Sequence, residues 1–175
     1  MPEAEIEIRR AGEADVAAIA RVHVAAWQHA YRGQLPDAVI DSFSVESRTQ
    51  RWRELLTQPG HDLLVALRAG TLLGFCSLIA ARDAGAGKEI GEIAALYVAP
   101  EHWRTGAGRR LLQAGQESAR QRQFRELTLW VLVSNERARA FYSSVGYAAD
   151  GAEKIEHRNG HPLHELRYRR SLAVG

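Results

Sequence analysis

The spacing of apolar residues along the chain predicts a strand followed by two helices. Residues 5–10 alternate between polar and apolar, which is typical of a half-buried strand. Helical spacing of apolar side chains then predicts one helix between Asp15 and Gly33 and a second between Ser44 and Pro59. Serine is a favoured N-cap, and glycine and proline are common where a helix ends, so the pattern indicates the helix limits as well.

The remainder of the chain is predicted to consist of strands with two interspersed helices. The predicted strands cover residues 62–67, 71–80, 89–99, 126–133, 155–157 and 163–170, and the predicted helices cover residues 106–121 and 136–145. Asn159 and Gly160 form the strongest hairpin signal in the chain. No linker, repeat or low-complexity tract separates these elements, so the sequence predicts one α+β domain over residues 1–175, in the order β-αα-βββ-α-β-α-ββ.

Composition and charge exclude several classes of protein. The chain has 175 residues, 46% of them hydrophobic, which suffices for one domain whose core needs no disulfide or metal. The formal net charge is only +2 and arginines are interspersed with acids, whereas nucleic-acid binders concentrate basic residues on one face. Cys76 is the single cysteine, which excludes an intrachain disulfide and a Cys-rich zinc site. The residues from Met1 to Glu5 lack a signal-peptide pattern and no apolar run is long enough for a membrane helix, so we expect a cytoplasmic protein with neither a membrane nor a nucleic-acid partner.

The most informative local feature is a glycine-spaced turn between a predicted strand and a predicted helix. It reads Trp103-Arg104-Thr105-Gly106-Ala107-Gly108. Free N–H groups and the positive end of the helix dipole make such a turn an anion site, although a turn that only needs small residues has the same pattern. A P-loop would continue with Lys after Gly108, where Arg109 stands, and a dinucleotide fingerprint would have a small residue in place of Leu111. A phosphate-bearing ligand of another class remains open.

Together with the segments around it, this turn resembles the acyl-CoA loop of the GCN5-related N-acetyltransferase (GNAT) family. The family pattern is Arg/Gln-x-x-Gly-x-Gly/Ala; both glycines match, and Trp103 replaces the leading Arg or Gln. Downstream, residues 135–142 match the pattern Asn-x-x-Ala-x-x-Phe-Tyr in full. The resemblance covers essentially the whole chain, since the element order is also the family's. It implies an α+β, GNAT-like acyl-CoA acyltransferase fold with a mixed sheet of six to seven strands flanked by about four helices.

The resemblance implies acetyl-CoA as the cosubstrate, with no metal. The CoA pyrophosphate would lie on the loop formed by Arg104, Thr105, Gly106, Ala107, Gly108 and Arg109. The pantetheine arm would insert between two parting strands and pair with the backbone around Leu96, Tyr97 and Val98. Asn135 would hold either this arm or the start of its helix. Arg110 could add charge against the phosphates, or it could equally be a solvated residue at a helix start.

The same resemblance implies direct transfer of an acetyl group from the thioester to an amine. Tyr142 matches the family's tyrosine near the CoA sulfur, which serves as the general acid for the departing thiolate. Glu92 stands at the family's strand glutamate and is expected to deprotonate the amine, either directly or through water. Strand alternation groups Glu92 with Leu96 and Val98 on an otherwise apolar side. The backbone N–H of Leu96 is expected to polarise the acetyl carbonyl.

The resemblance also implies an acceptor site beside the first two helices. Trp27, Tyr31 and Arg32 on the first helix, with His164 near the closing hairpin, are the expected contacts for a primary amine. The amine could belong to a small molecule or to a protein, and the sequence does not choose between them. Relatives are often dimers, so a homodimer is an expected form.

Two other classes of protein stay open as alternatives to an N-acetyltransferase. A non-catalytic acyl-CoA-binding sensor or regulatory module of the same fold would keep the glycine turn but would need neither Glu92 nor Tyr142. An RNA-directed protein would need a one-sided basic patch, which the sequence does not show.

Overall fold

The strands of the chain assemble into one mixed sheet. A computed structural model describes residues 4–173, so Met1 to Glu3, part of the stretch examined for a signal peptide, lie outside the described residues. The seven strands are Glu7–Arg10 (β1), Asp62–Arg68 (β2), Thr71–Ala80 (β3), Ile90–Val98 (β4), Glu126–Leu132 (β5), Ala148–Arg158 (β6) and His161–Ser171 (β7). They lie in the order β1-β2-β3-β4-β5-β7-β6. Only β4 and β5 are parallel neighbours, which confirms the predicted mixed sheet.

The sheet is flanked by five helices rather than about four. The helices are Val16–Tyr31 (α1), Asp37–Asp41 (α2), Val45–Leu56 (α3), Ala107–Gln121 (α4) and Glu136–Ser144 (α5). The additional helix is α2, which is too short to show helical periodicity but buries Val39 and Ile40. No helix within the described range is long and apolar enough to cross a membrane.

Strand β6 is longer than the sequence indicates. It begins at Ala148, whereas the prediction began at residue 155, because most of residues 148–154 are exposed and lack the alternation that marks a half-buried strand. Pairing with β7 holds this part of the chain in the sheet, with Ala149 opposite Tyr168 and, after an irregularity in register, Glu153 opposite Leu166. Pairing with β7 therefore determines the strand conformation of residues 148–154, where the local sequence pattern does not indicate one.

The helices cover both faces of the sheet and create two main apolar cores. On one face, α4 and α5 bury Leu111 and Tyr142 against strand residues such as Cys76. On the other face, α1 and α3 bury Ile19 and Trp52 against Phe75, Val65 and their neighbours. The two faces of β4 therefore meet different helices, so the direction of each β4 side chain decides which core or cavity it enters.

Strand β4 carries an extra residue at Ala94, which changes the faces of the side chains around it. Against β3, Ile93 lies opposite Leu78 and Ala95 lies opposite Ser77, so Ala94 has no partner. Such a β-bulge bends the strand and interrupts its strict alternation. The bulge lies between Glu92 and Leu96, the two β4 residues to which the sequence assigns chemistry.

The α4 face of the sheet contributes strongly to stability, and Leu111→Ala tests this. Leu111 is fully buried among the strand and α5 side chains, so its truncation leaves a cavity and should lower the free energy of unfolding by about 2–5 kcal/mol. As a control, Val45→Ala removes side-chain atoms at a position that is 40% exposed and should change the free energy of unfolding by about 0.5 kcal/mol or less. Chemical denaturation of both variants measures the difference; equal midpoints would contradict the assignment of the core.

Candidate active site

Two cavities meet where β4 and β5 separate. The two strands pair only from Ile90 opposite Glu126 to Glu92 opposite Thr128, and they diverge beyond this point. The loop cleft, about 450 Å³, lies beside α4 and α5 and is lined by the glycine turn. The α1 cavity, about 580 Å³, lies beside α1 and α3. Three residues line both of them: Leu96, Ala138 and Tyr142.

The backbone of β4 is presented to this gap at Leu96 and Val98. The N–H of Ala99 donates to the carbonyl of Leu73 at 2.8 Å, so Ala99 belongs to a hydrogen-bonded pair with β3. Between two antiparallel strands, hydrogen-bonded residue pairs alternate with residue pairs whose N–H and C=O groups point away from the partner strand. Val98 opposite Gly74 and Leu96 opposite Cys76 are therefore turned towards β5, which has already diverged.

The other strand residue predicted for this edge, Tyr97, is placed differently. Its backbone is in register with Phe75 of β3, and its ring lines the α1 cavity 4.6 Å from the ring of His23. Neither its side chain nor its hydrogen-bonding edge faces the loop cleft. The edge available to a ligand is therefore formed by Leu96 and Val98 alone.

The glycine turn brings free backbone N–H groups and arginine side chains together at the start of α4. Gly106 has a φ of +88°, in the left-handed region that glycine favours, and Arg104 has a φ of +62°. No side chain caps this helix, so its first N–H groups are available to a ligand. Arg104 and Arg109 line the cleft with Arg137 from α5, and none of the three has a carboxylate partner among residues 4–173. Burial and the charge of Arg104 lower the pKa of Arg137, as expected where like charges gather.

The predicted loop residues contribute to the cleft unequally. Gly106 and Gly108 line it, whereas the hydroxyl of Thr105 donates to the carbonyl of His102 at 2.7 Å and Ala107 is buried in the core. Arg110, for which both readings were open, turns away from the cleft and donates to the carbonyl of Ile6 at 2.6 Å.

Trp103, which replaces the leading Arg or Gln of the family pattern, has a structural role in the turn. Its indole N–H donates to the outward-facing carbonyl of Val98 at 2.8 Å. The Arg137 guanidinium lies over its ring, with Cζ at 3.1 Å from the centroid, and His29 packs against the ring edge. Trp103 therefore ties the turn to the strand edge and positions a cation that the sequence reasoning did not select. Arg137 could have been identified from the sequence, because it lies in the first turn of the helix after Asn135, where the helix dipole disfavours a cation.

Tyr142 lies in the wall that the two cavities share. Its ring is buried in the α4 core, and burial raises the pKa of Tyr142 well above its usual value, so the phenol stays protonated at neutral pH. The sequence pattern Phe141-Tyr142 also predicts that Phe141 packs in the core while Tyr142 points into the cleft, and this prediction is only partly right. Phe141 is the less buried of the two and lines the loop cleft itself.

Asn135 holds the start of α5 rather than projecting freely into a cleft. Its Oδ1 accepts a hydrogen bond from the N–H of Ala138 at 3.1 Å, which makes it an N-cap. Its Nδ2 donates to the Tyr31 hydroxyl at 2.9 Å and so links α5 to the end of α1. Asn135 was expected to hold either the pantetheine arm or the start of its helix, and its contacts support the second role.

Glu92 is buried and faces the α1 cavity, but its predicted grouping with Leu96 and Val98 is wrong. Glu92 lies opposite Ile79 of β3. Ile79 and Ser77 are on the same face of β3, and Ser77 lies opposite Ala95, so Glu92 and Ala95 share that face. The bulge at Ala94 therefore places Glu92 and Leu96 on opposite faces of the sheet.

The Glu92 carboxylate is held by one arginine. The guanidinium of Arg82 donates to Oε1 at 2.6 Å, and the backbone N–H of Arg82 donates to Oε2 at 3.1 Å. The side chain of Glu92 is 2% exposed, whereas that of Arg82 is 64% exposed. The ion pair thus joins a buried carboxylate to a cation at the cavity entrance.

The expected acceptor contacts fall into two groups. Trp27 and Tyr31 line the α1 cavity. Arg32 is exposed and pairs with Asp37 and Asp41 outside the cavity. His164 is likewise exposed, with Nε2 at 2.7 Å from Glu153. The placement of Arg32 and His164 gives no support to their predicted contact with the acceptor.

The α1 cavity is also lined by polar side chains that the sequence reasoning did not select, among them His23, Arg48, Arg158 and Glu165. Burial lowers the pKa of His23 to about 3, and its Nδ1 accepts a hydrogen bond from Trp52 at 3.0 Å, so it is neutral. Burial raises the pKa of Glu165, while the charge of Lys154, at 3.5 Å, opposes this shift. Glu165 could have been identified from the sequence, because it follows Leu163 by two residues and strand alternation places it on the same face as that buried leucine. No three His, Cys, Asp or Glu side chains within residues 4–173 are grouped as metal ligands.

Comparison with known proteins identifies the class of this fold and site. The model of the Acetyltransferase (GNAT) family matches residues 15–147. The chain is 29% identical over 155 residues to YuaI, an uncharacterised N-acetyltransferase of Bacillus subtilis (strain 168), which covers 88% of the chain and 84% of YuaI. It is 33% identical over 145 residues to an uncharacterised N-acetyltransferase of Archaeoglobus fulgidus, covering 79% of the chain and 90% of the relative.

A solved structure shows the same fold. The PaiA N-acetyltransferase of Thermoplasma acidophilum, in complex with coenzyme A, aligns with a TM-score of 0.72 over 95% of this chain and 99% of the other, at 22% identity. The chain belongs to the GNAT family of acetyltransferases. It is an N-acetyltransferase, as the resemblance implied.

The buried Glu92 depends on Arg82, and Arg82→Ala should therefore destabilise the protein. Removing the guanidinium leaves a buried carboxylate with one hydrogen bond, so the free energy of unfolding should fall by about 1–3 kcal/mol at neutral pH. The double variant Arg82→Ala/Glu92→Gln should recover part of this loss because the buried charge is gone. In the control, Arg53→Ala breaks an exposed pair with Glu13 and should cost about 1 kcal/mol at most. Denaturant titrations measure all three; an Arg82→Ala variant as stable as the unmodified protein would contradict the pairing.

Proposed function

We propose that this protein transfers an acetyl group from acetyl-CoA to a primary amine at the junction of the loop cleft and the α1 cavity. The observation that carries this proposal is the shared wall of Leu96, Ala138 and Tyr142. A direct transfer requires two reactants to approach one point from different sides, and two cavities that meet at one wall allow this. The chain then works as a single acetyltransferase domain, because β6 and β7, which mostly follow the family match, complete the same sheet.

The loop cleft has the chemistry that acetyl-CoA requires. The uncapped start of α4, with Arg104, Arg109 and Arg137, suits the phosphates. The outward backbone groups of Leu96 and the N–H of Val98 suit a long polar arm that pairs with a strand edge, while Trp103 already occupies the carbonyl of Val98. The PaiA structure, which contains coenzyme A, supports this choice of cosubstrate.

The residues of the junction divide the proton transfers between them. When bound, acetyl-CoA supplies an activated thioester carbon. The backbone N–H of Leu96 stabilises the negative charge that develops on the acetyl oxygen. As the carbon–nitrogen bond forms and the carbon–sulfur bond breaks, Tyr142 donates its phenolic proton to the departing thiolate, and the proton that the new amide nitrogen loses returns to the Tyr142 oxygen. Burial raises the pKa of Tyr142, so the phenol carries its proton at neutral pH before the reaction begins.

A carboxylate of the α1 cavity takes the proton that the ammonium must lose before it can attack. Glu92 is the proposed base, because it is buried on β4 and faces this cavity. Arg82 fixes its orientation, which leaves few lone pairs free and favours a proton path through water. Glu165 is the second candidate, supported by its raised pKa.

Removal of the Tyr142 hydroxyl should slow the chemical step selectively. In Tyr142→Phe, kcat should fall about 10²- to 10⁴-fold, because the thiolate loses its proton donor, while the KM for acetyl-CoA changes little. The matched control is Tyr147→Phe, which removes another buried hydroxyl, bonded to Gln116 and outside both cavities. Thiol release measured with an amine panel tests both variants, and equal kcat values for them would exclude Tyr142 as the acid.

The pH dependence of activity separates the two candidate bases. A base must be deprotonated to act, so kcat/KM rises with pH through its pKa and this acidic limb disappears when the base is removed. We expect Glu92→Gln to abolish the limb and Glu165→Gln to retain it. If instead Glu165→Gln removes the limb and Glu92→Gln preserves it, Glu165 is the base. Acetyl-CoA binding by calorimetry confirms that each variant is folded.

A further inference from the structure

Two arginines in the α1 cavity stand against aromatic rings rather than in close ion pairs within the described part of the chain. Arg48, from α3, lies with Cζ 4.9 Å from the ring centroid of Phe43, and Arg158, from the end of β6, lies 4.4 Å from the same centroid. Phe43 in turn stacks on Trp27 at 4.2 Å. Arg158 is also 5.8 Å from the Trp27 ring, so elements distant in sequence bring two guanidinium groups to one aromatic platform.

Neither guanidinium has a carboxylate within 4 Å or a hydrogen bond among residues 4–173. The Nε of Arg48 is fully buried and has no hydrogen-bond partner. Aromatic faces attract a cation but leave its five N–H donors unused. A buried donor without a partner is costly, so the cavity contains unfilled hydrogen-bonding capacity of a kind that oxyanions satisfy.

The carboxylates of the cavity are held by other cations. Arg82 pairs with Glu92, and Lys154 pairs with Glu156 at 2.9 Å and with Glu165 at 3.5 Å. Arg51 faces Glu54 at 3.7 Å on its own helix. The charge of Arg158 acts on Glu156 and Glu165 only over a longer distance. Arg48 and Arg158 are therefore the cavity arginines without a carboxylate within 4 Å among residues 4–173.

The two guanidinium groups repel each other, which indicates that they are close together in the cavity. Burial, followed by the charges of Arg158 and Arg51, lowers the pKa of Arg48. Both arginines also influence Tyr97: burial raises its pKa, and their charges oppose that shift. Arg48, Arg158 and Leu96 all line the α1 cavity, so a small molecule with its amine at the junction and a second group at the arginines would occupy this one cavity.

We propose that the acceptor is a small amine that also carries an oxyanion, a carboxylate or a phosphonate, and that Arg48 and Arg158 bind this group. The inference rests on the proposed function, since it concerns the acceptor of the same reaction. The arginine fork matches either oxyanion with two parallel hydrogen bonds. A cavity of about 580 Å³ is the size of a small-molecule site, and its aromatic floor suits the carbon skeleton between the two groups.

Matched acceptors test the oxyanion directly. The panel consists of the common L-amino acids, each compared with its amide and with its decarboxylated amine, and thiol release from acetyl-CoA is the readout. The aminophosphonate analogue of the best substrate then distinguishes a phosphonate site from a carboxylate site. The acids should exceed their amides and decarboxylated amines by about ten- to hundredfold in kcat/KM, as loss of a charged hydrogen bond implies.

Variants assign that preference to the arginines. Arg48→Gln and Arg158→Gln should each raise the KM for the acid about tenfold or more and should have a much smaller effect on kcat/KM for the decarboxylated amine, which lacks the oxyanion. Arg48→Lys keeps the charge without the fork and should lose less, which guards against a folding defect in Arg48→Gln. Arg53→Gln is the matched control on α3, because Arg53 lies outside the cavity.

The outcomes distinguish this proposal from the transferase proposal. Equal rates for acid, amide and decarboxylated amine, or equal losses on all three in the arginine variants, would overturn the oxyanion site while leaving acetyl transfer intact. If no amine is acetylated, calorimetry of the same compounds with the complex of protein and coenzyme A becomes the readout. Binding of the acid that is weakened by Arg48→Gln supports the site even then, and indistinguishable heats for acid and amide overturn it.

Discussion

The separation of β4 from β5 is the constraint on which the rest of the site depends. The strands stay paired only as far as Glu92 and Thr128, and the bulge at Ala94 bends β4 immediately afterwards. A strand edge that loses its neighbour presents N–H and C=O groups that another extended chain can pair with. In this protein the exposed edge is short and lies between two cavities. The gap therefore offers an extended ligand a run of free backbone groups with a defined length and direction.

The same bulge distributes the chemistry over two faces. Without the extra residue, Glu92 and Leu96 would point to the same side of the sheet; with it, Glu92 faces the α1 cavity and Leu96 lies at the junction. The loop cleft gathers cations that lack carboxylates, as a polyphosphate requires, whereas the α1 cavity mixes carboxylates with cations. Asn135 holds the two sides together by capping α5 and donating to Tyr31.

Much of the fold could be predicted because its local signals agree. Apolar alternation, the Ser44 cap and the Asn159–Gly160 hairpin all correspond to elements in the structure, and Ser44 does accept a hydrogen bond from Ser47. The glycine turn is likewise a local signal, whereas the role of Tyr142 rests on the resemblance to the GNAT family and stays a prediction. The side of β4 that Glu92 occupies could not be predicted, because strict alternation fails at a bulge and no local residue type marks Ala94 as extra.

Two cations of the α1 cavity could not be predicted for a related reason, although Arg104 and Arg109 of the loop cleft could. Arg48 and Arg158 look like ordinary surface residues in the sequence, and only tertiary packing brings them to one aromatic ring. Arg110 illustrates the converse, since it neighbours the glycine turn in sequence but donates to β1. Sequence proximity to a motif therefore does not decide which charges serve it.

The central claim is that the open edge of β4 receives the extended arm of acetyl-CoA, and residue-resolved amide hydrogen exchange by NMR tests it most directly. Addition of coenzyme A should slow exchange at the N–H groups of Leu96 and Val98, together with those at the start of α4, while Tyr97, already in register with β3, changes little. Tight binding of coenzyme A with unchanged exchange at Leu96 and Val98 would contradict the account.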